Sequence, residues 1–170
     1  KDSLHNEFKD QGKSLSIPGT LLISAIGIIS NIHKTVTMDF KKAGNLIYVV
    51  GTTFDEMGGS IYLGTHNLIG NTVPKVNTLK GTKIFQQVSK AMQKGLVRAT
   101  HDCSEGGLGV ALAEMAFAGG LGATLSLDRI PYKGNRKRND VMLFSESNTR
   151  FVIEVQLQNQ KKFERLMQGI

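Results

Sequence analysis

The chain has 170 residues, is 40% hydrophobic and 21% charged, and carries a formal charge of +7. That length and apolar content suit one globular domain with a sizeable core and room for an appended arm; no apolar run approaches the roughly 18 residues of a membrane span, and KDSLHNEFKDQGKS does not read as a signal peptide. The single Cys103 leaves no internal disulfide and no zinc-ligand set, which fits a reducing cytoplasm, and the lack of Trp argues against base-stacking platforms.

In chain order, residues 1–16 are polar and Gly-containing and read as a loop or arm. GTLLISAIGII (19–29) reads as a buried strand, and the alternating 36–40 as its partner. NLIYVVGTT (45–53) is a further near-continuous apolar strand. DEMGGSIYLGTHNLIG (55–70) reads as a tight turn leading into a short helix or strand. Residues 82–94 form an amphipathic helix with Ile84, Phe85, Val88, Ala91 and Met92 on one face, ended by Gly95. Residues 96–100 and 123–127 read as strands, 140–146 as a short helix with a loop, 150–156 as a strand and 158–168 as the start of a polar helix.

Between the strands lies HDCSEGG (101–107), followed by a helix over 108–118 whose only charge is Glu114 and which is expected to be covered on most sides. Ser104 is placed to cap that helix, and Glu105 suits the positive end of its dipole. Two readings of the turn stay open. In one, Gly106 and Gly107 let strand and helix pack closely while Asp102 and Ser104 satisfy free N–H groups. In the other, Asp102 holds a hard cation such as Mg²⁺ with N–H groups nearby for phosphate oxygens. His101 and Cys103 read as structural neighbours, since a lone His is usually a satisfied group and nothing in the sequence lowers the thiol pKa.

The densest basic cluster, YKGNRKR (132–138), reads as an exposed, solvated loop. No motif carries its charges into a nucleic-acid groove, so nucleic acid is not the expected partner; a second use stays open, since basic loops also meet phosphorylated small molecules or acidic neighbouring domains.

HDCSEGGLGVALAEMAFAGGLGA, MLFSESNTRFVIEV, FDEMGGSIY and the initial KDSLHNEF together carry a resemblance. They are similar to the C-terminal part of the synthetase subunit in the phosphoribosylformylglycinamidine synthase family. Its superfamily also holds aminoimidazole ribonucleotide synthetase, selenophosphate synthetase and a hydrogenase maturation protein. The resemblance implies an α+β fold, a mixed sheet with helices packed mainly on one face, like the C-terminal domain of aminoimidazole ribonucleotide synthetase. It implies that 1–16 are the tail of a preceding ATP-binding domain or a linker, and that 17–170 are a C-terminal α+β domain truncated at its end.

For function, the resemblance implies an ATP-dependent, amidine-forming ligase of purine biosynthesis acting on formylglycinamide ribonucleotide. ATP activates an amide oxygen that ammonia then displaces, so Mg²⁺, phosphates and a phosphorylated substrate must be gathered. Lys1 and Asp2 would meet phosphate, Lys1 and Asp102 the metal, Gly106 and Gly107 the nucleotide, and Ser3, Glu146, Ser147 and Asn148 the substrate. No residue of this chain is expected to be catalytic, because the general acid-base His of the family lies in the other half of the subunit. The expected partners are a glutaminase subunit, a small carrier subunit and the ATP-binding domains of the same polypeptide, without nucleic acid or membrane. The alternatives are a selenophosphate-synthetase-like or hydrogenase-maturation-like ATP enzyme domain and a non-enzymatic assembly module.

Overall fold

The chain is seen in a computed structural model that describes residues 2–4, 6–18, 20–135 and 137–170, with the backbone alone at 2–4, 20 and 21. Lys1 and Arg136 lie outside the described residues. Contacts divide the chain into Lys1–Ile32 and His33–Ile170, a later boundary than the one expected after residue 16.

In the first unit, β1 (Asp2–Leu4) pairs antiparallel with β4 (Thr20–Leu22), and β2 (Glu7–Asp10) with β3 (Lys13–Ser16). The expected loop at 1–16 is therefore largely strand. Gln11 and Gly12 both have positive φ, 46° and 77°, which is the two-residue turn that matches the twist of a hairpin. The long buried strand expected at 19–29 shrinks to β4. Ile26 and Ile28 are each 99% exposed, because an apolar run becomes a buried strand only where neighbours take its backbone groups and cover its side chains.

The second unit is built on a three-stranded antiparallel sheet in the order β5 (Leu46–Val50), β9 (Phe151–Val155), β7 (Ala99–Asp102). Alternation along β9 sends Ile153 and Val155 to one face and Val152 to the other. On the first face lie α2 (Thr78–Gln93) and α5 (Gln160–Leu166), through Ile84, Val88, Ala91 and Phe163. On the second lies α3 (Gly107–Gly119), through Leu108, Ala111, Leu112 and Met115. Two of the three longer helices thus share a face, and α3 covers the other. Each fully buried Val, Leu, Ile, Met or Phe among them contributes about 1.5–3 kcal/mol.

β6 (Thr53–Phe54) and β8 (Tyr132–Lys133) form a separate parallel pair, so parallel pairing stays outside the central sheet. Two short helices, α1 (Ile61–Thr65) and α4 (Asn139–Phe144), and 3-10 turns at Ile32–Lys34, Leu127–Arg129 and Leu157–Asn159 complete the described elements. α2 starts where the Asn77 side chain accepts the Lys80 N–H at 2.9 Å.

Three expectations change. Residues 36–40 and 123–127 have no strand pairing, although Thr100 N–H does reach the Thr37 carbonyl at 3.2 Å. The start of α3 is not capped by Ser104: Gly106, left-handed at φ 73°, is the N-cap and no side-chain cap bond is made. Finally, α3 is not covered on most sides, since Val110, Ala113, Phe117 and Ala118 are exposed, Phe117 by 71%. Its apolar character all round reads as a buried helix, but only one side meets the sheet.

Candidate functional site

Three sequence motifs that are far apart in the chain meet at the end of β7 where α3 begins. FDEMGGSIY runs from β6 into α1, HDCSEGG joins β7 to α3, and SESNTR joins α4 to β9. Glu146 ties the first two together: its Oε1 accepts the N–H of Ile61 and that of Gly106, each at 2.9 Å. One carboxylate therefore satisfies a free donor at the start of each helix, where helix dipoles also favour negative charge.

Gly107 sits at φ 62°, and a Cβ there would collide with the carbonyl oxygens of Ser145 and Leu143. Glycine is required because the start of α3 presses on the backbone that leaves α4. Gly107 N–H is used within the turn, donating to Ser104 O at 3.0 Å. The two glycines expected to offer N–H groups to a nucleotide thus have both engaged inside the chain, and both residues are buried.

Beneath this junction lies Arg150, 1% exposed. Its guanidinium donates to Ser147 O and to Thr53 Oγ1, each at 2.9 Å, and also to Ser145 O. Burial lowers its affinity for the proton, while the nearby acidic side chains of Glu56 and Glu146 oppose that shift. Ser145 Oγ donates to Phe54 O at 2.8 Å, and Ser147 Oγ accepts the Phe54 N–H at 3.0 Å. Both serines are fully buried, so the Ser147 hydroxyl expected at the substrate is instead occupied in locking the loop onto β6. Glu56 takes the Lys75 N–H through Oε1 at 3.1 Å, and its buried Oε2 has no hydrogen-bond partner among the described residues. The positive charge of Arg150 offsets the cost of that oxygen.

Two expected residues remain on the surface, Asp102 and Asn148. Asp102 has a side chain 65% exposed, and His101 stands between two acids, Nδ1 at 3.3 Å from Asp102 and Nε2 at 3.0 Å from Glu114. His101 Nε2 is thus hydrogen-bonded to Glu114, a link between the end of β7 and α3. Cys103 is buried, and burial pushes its thiol up to about 11, with Asp102 adding to the shift and Arg150 opposing it. No group of three or more His, Cys, Asp or Glu able to hold a metal ion occurs among the described residues. Asp102 offers one exposed carboxylate, a hard-oxygen donor of the type that divalent cations take. Asp2 and Ser3 are placed only by their backbone in β1, so their expected contacts lie outside the described side chains.

The sequence reading missed Arg150 and Asp55. Asp55 accepts the Tyr132 hydroxyl and, at 3.0 Å, the Asn135 N–H, pinning the start of the basic loop beside the Gly-rich turn. A charged residue directly before the apolar strand FVIEV was the available signal for Arg150, because a guanidinium carried into a core must find acceptors.

Residues 42–169 match the family described as AIR synthase related protein, C-terminal domain. The chain belongs to that family. Within this AIR synthase related group it is 38% identical over 164 residues to phosphoribosylformylglycinamidine synthase subunit PurL of Alkaliphilus metalliredigens, covering 95% of this chain and 21% of the relative. It is also 38% identical over 163 residues to the PurL of Methanocaldococcus jannaschii, covering 94% of this chain and 22% of the relative. The chain thus spans about a fifth of the length of the curated relatives it matches. Among solved structures, T. maritima PurL complexed with FGAR superposes with a TM-score of 0.71 at 20% identity, over 80% of this chain and 24% of that one. E. coli HypE superposes with a TM-score of 0.53 at 22% identity, over 76% of this chain and 40% of that one. These likenesses show a shared α+β fold.

Proposed function

We propose that the chain is part of the synthetase subunit of a phosphoribosylformylglycinamidine synthase, an ATP-dependent ligase that converts formylglycinamide ribonucleotide to its amidine in purine biosynthesis in the cytoplasm. The observation that carries this reading is the 38% identity running along 95% of the chain to a protein of that name. Solved complexes of T. maritima PurL with ATP and with FGAR support the choice of ligands. No described helix is long and apolar enough to cross a membrane.

In this reading residues 1–16 are the tail of a preceding ATP-binding domain or a linker, and 17–170 form the C-terminal α+β domain that docks against the ATP-binding domains of the same polypeptide. Asp102 supplies one hard oxygen to Mg²⁺, and Asn148 faces the substrate beside it. Glu146, Ser147, Gly106 and Gly107 shape the corner that holds these two in place. When bound, ATP supplies the phosphoryl group that activates the amide oxygen, and Mg²⁺ neutralises its phosphate charge. The exposed carboxylate of Asp102 orients that cation, and the rigid loop beneath keeps Asn148 at a fixed distance from it. A glutaminase subunit and a small carrier subunit are the expected partners, in line with a solved T. maritima assembly described as PurLQS.

The test is to incubate the full-length protein, and separately this 170-residue chain, with formylglycinamide ribonucleotide, ATP, Mg²⁺ and ammonia. Turnover by the full-length protein and none by the chain alone is expected. A pure, folded full-length protein without turnover overturns the assignment, and turnover by the chain alone overturns the division of labour.

A further inference from the structure

Among the described residues, three that are not glycine have positive φ: Gln11 at 46°, Asn67 at 56° and Thr149 at 58°. Gln11 belongs to the hairpin turn and Asn is a residue type that tolerates the left-handed region, whereas for a β-branched residue such a backbone is an outlier. Thr149 lies in the bend between exposed Asn148 and buried Arg150. That bend stands at the same end of the sheet as Asp102, which is the register partner of Phe151.

The surroundings impose this conformation. Ser147 and Arg150 are buried on either side of the bend, and Arg150 Nε donates to Ser147 O at 2.9 Å, so the chain leaves the core and returns within the two residues between them. Cys103 N–H fixes the return by donating to Arg150 O at 2.9 Å. The Thr149 carbonyl presses on Gly51, just after β5, where a Cβ would collide with its oxygen. The Thr149 side chain faces buried Gly81 in α2, where a Cβ would meet Thr149 Oγ1 at 3.4 Å and Cγ2 at 3.6 Å. Two local preferences are thus broken at one contact, a Gly within a helix and a Thr in the left-handed region. Local rules broken together, where the surrounding structure over-determines the backbone, mark a conformation kept for what it positions.

We propose that Thr149 is a positioning residue: its left-handed bend, clamped between Gly51 and Gly81, presents the side-chain amide of Asn148 to the substrate in one fixed direction. This rests on the ligase reading above and deepens it, with Asn148 as the group that touches the substrate and Thr149 acting only through it. The φ angle of Thr149 sets the orientation of Asn148 against the anchored Arg150. A side-chain amide both donates and accepts, so its contact with a ligand is directional and depends on a backbone that does not turn. With that angle free, Asn148 has to be ordered at the moment of binding, and affinity falls.

Two variants of the full-length protein test this. Thr149→Gly frees φ and is expected to raise the KM for formylglycinamide ribonucleotide at least about tenfold with kcat within about twofold of the parent, since binding is lost without loss of the chemical step. In hydrogen exchange read by mass spectrometry, its peptides spanning 146–151 should exchange at least about tenfold faster than the parent's. Thr149→Asn suits the left-handed backbone without freeing it, so it should hold both values within about twofold of the parent and raise the urea midpoint. A Gly variant with the parent's KM, or with the parent's exchange, overturns the proposal. So does an Asn variant that exchanges slowly yet has the KM of the Gly variant, which makes the Thr149 hydroxyl itself the substrate contact. A parent protein without turnover refutes the ligase reading instead, and the exchange comparison then decides alone whether Thr149 clamps the bend.

Discussion

The Glu146 carboxylate accepts the Gly106 N–H at 2.9 Å across forty residues of sequence, and through the same oxygen it accepts the Ile61 N–H. This bond ties the SES loop to the start of α3. Glu146→Ala leaves two donors at helix starts unsatisfied and is expected to cost about 1–3 kcal/mol, whereas Glu146→Gln keeps an acceptor oxygen and should cost less. Urea denaturation of both variants checks this, and an Ala variant as stable as the parent would show that water replaces the carboxylate.

Arg150 holds the same loop from below. Arg150→Met strips the charged donor from two carbonyls and the Thr53 hydroxyl, and should destabilise the chain by about 3 kcal/mol or more. Arg150→Lys should recover only part of the loss, because one ammonium cannot span the positions served by a planar fork. A Met variant that unfolds within about 1 kcal/mol of the parent in the same urea series contradicts the anchoring role.

The exposed side of α3 separates two aspartate substitutions. Ala113→Asp places the charge in water and should cost less than about 1 kcal/mol, mostly helix propensity. Met115→Asp buries an unpaired charge at a position with 0% exposure and should abolish soluble, cooperatively folded protein. Soluble yield and thermal melts decide the matter; equal damage at both positions would mean that α3 is covered all round.

Burial of Cys103 makes a pH-dependent contribution. Its thiol is raised from 9.0 to about 11, so the folded state favours the neutral form. The associated stability is fully present below pH 9 and is lost as pH rises through about 11, an effect on the order of 2 kcal/mol. Stability should therefore fall more steeply between pH 9 and pH 11 in the parent than in Cys103→Ala. Identical slopes would show that the thiol titrates normally. At neutral pH a thiol reagent should label Cys103 only after unfolding.

Much of the fold was legible before the structure because its signals are local. The apolar runs at Leu46–Val50 and Phe151–Val155, and the 3.6-residue stripe of Ile84, Val88 and Ala91, depend only on the chain's own periodicity. The misread runs at 19–29, 36–40 and 123–127 share one cause. A strand needs a partner backbone, and sequence composition does not say whether one is present. In the candidate site the residue types were legible and their directions were not. Ser147 and Asn148 are adjacent, yet one is fully buried against Phe54 and the other exposed. The Gly pair read as a phosphate cradle, but close approach to Ser145 and the pull of Glu146 consume its N–H groups.

The assignment of Asp102 to the cation of a bound nucleotide is tested most directly by Asp102→Asn in the full-length protein, which keeps size and hydrogen bonding but removes the charge. Since the side chain is 65% exposed, fold stability should barely change, so the informative readout is the nucleotide and Mg²⁺ that remain bound after gel filtration with and without chelator. Loss of the bound nucleotide, or of its dependence on Mg²⁺, is expected. Unchanged nucleotide retention with unchanged metal content would contradict the assignment and leave the HDCSEGG turn as a packing corner between β7 and α3.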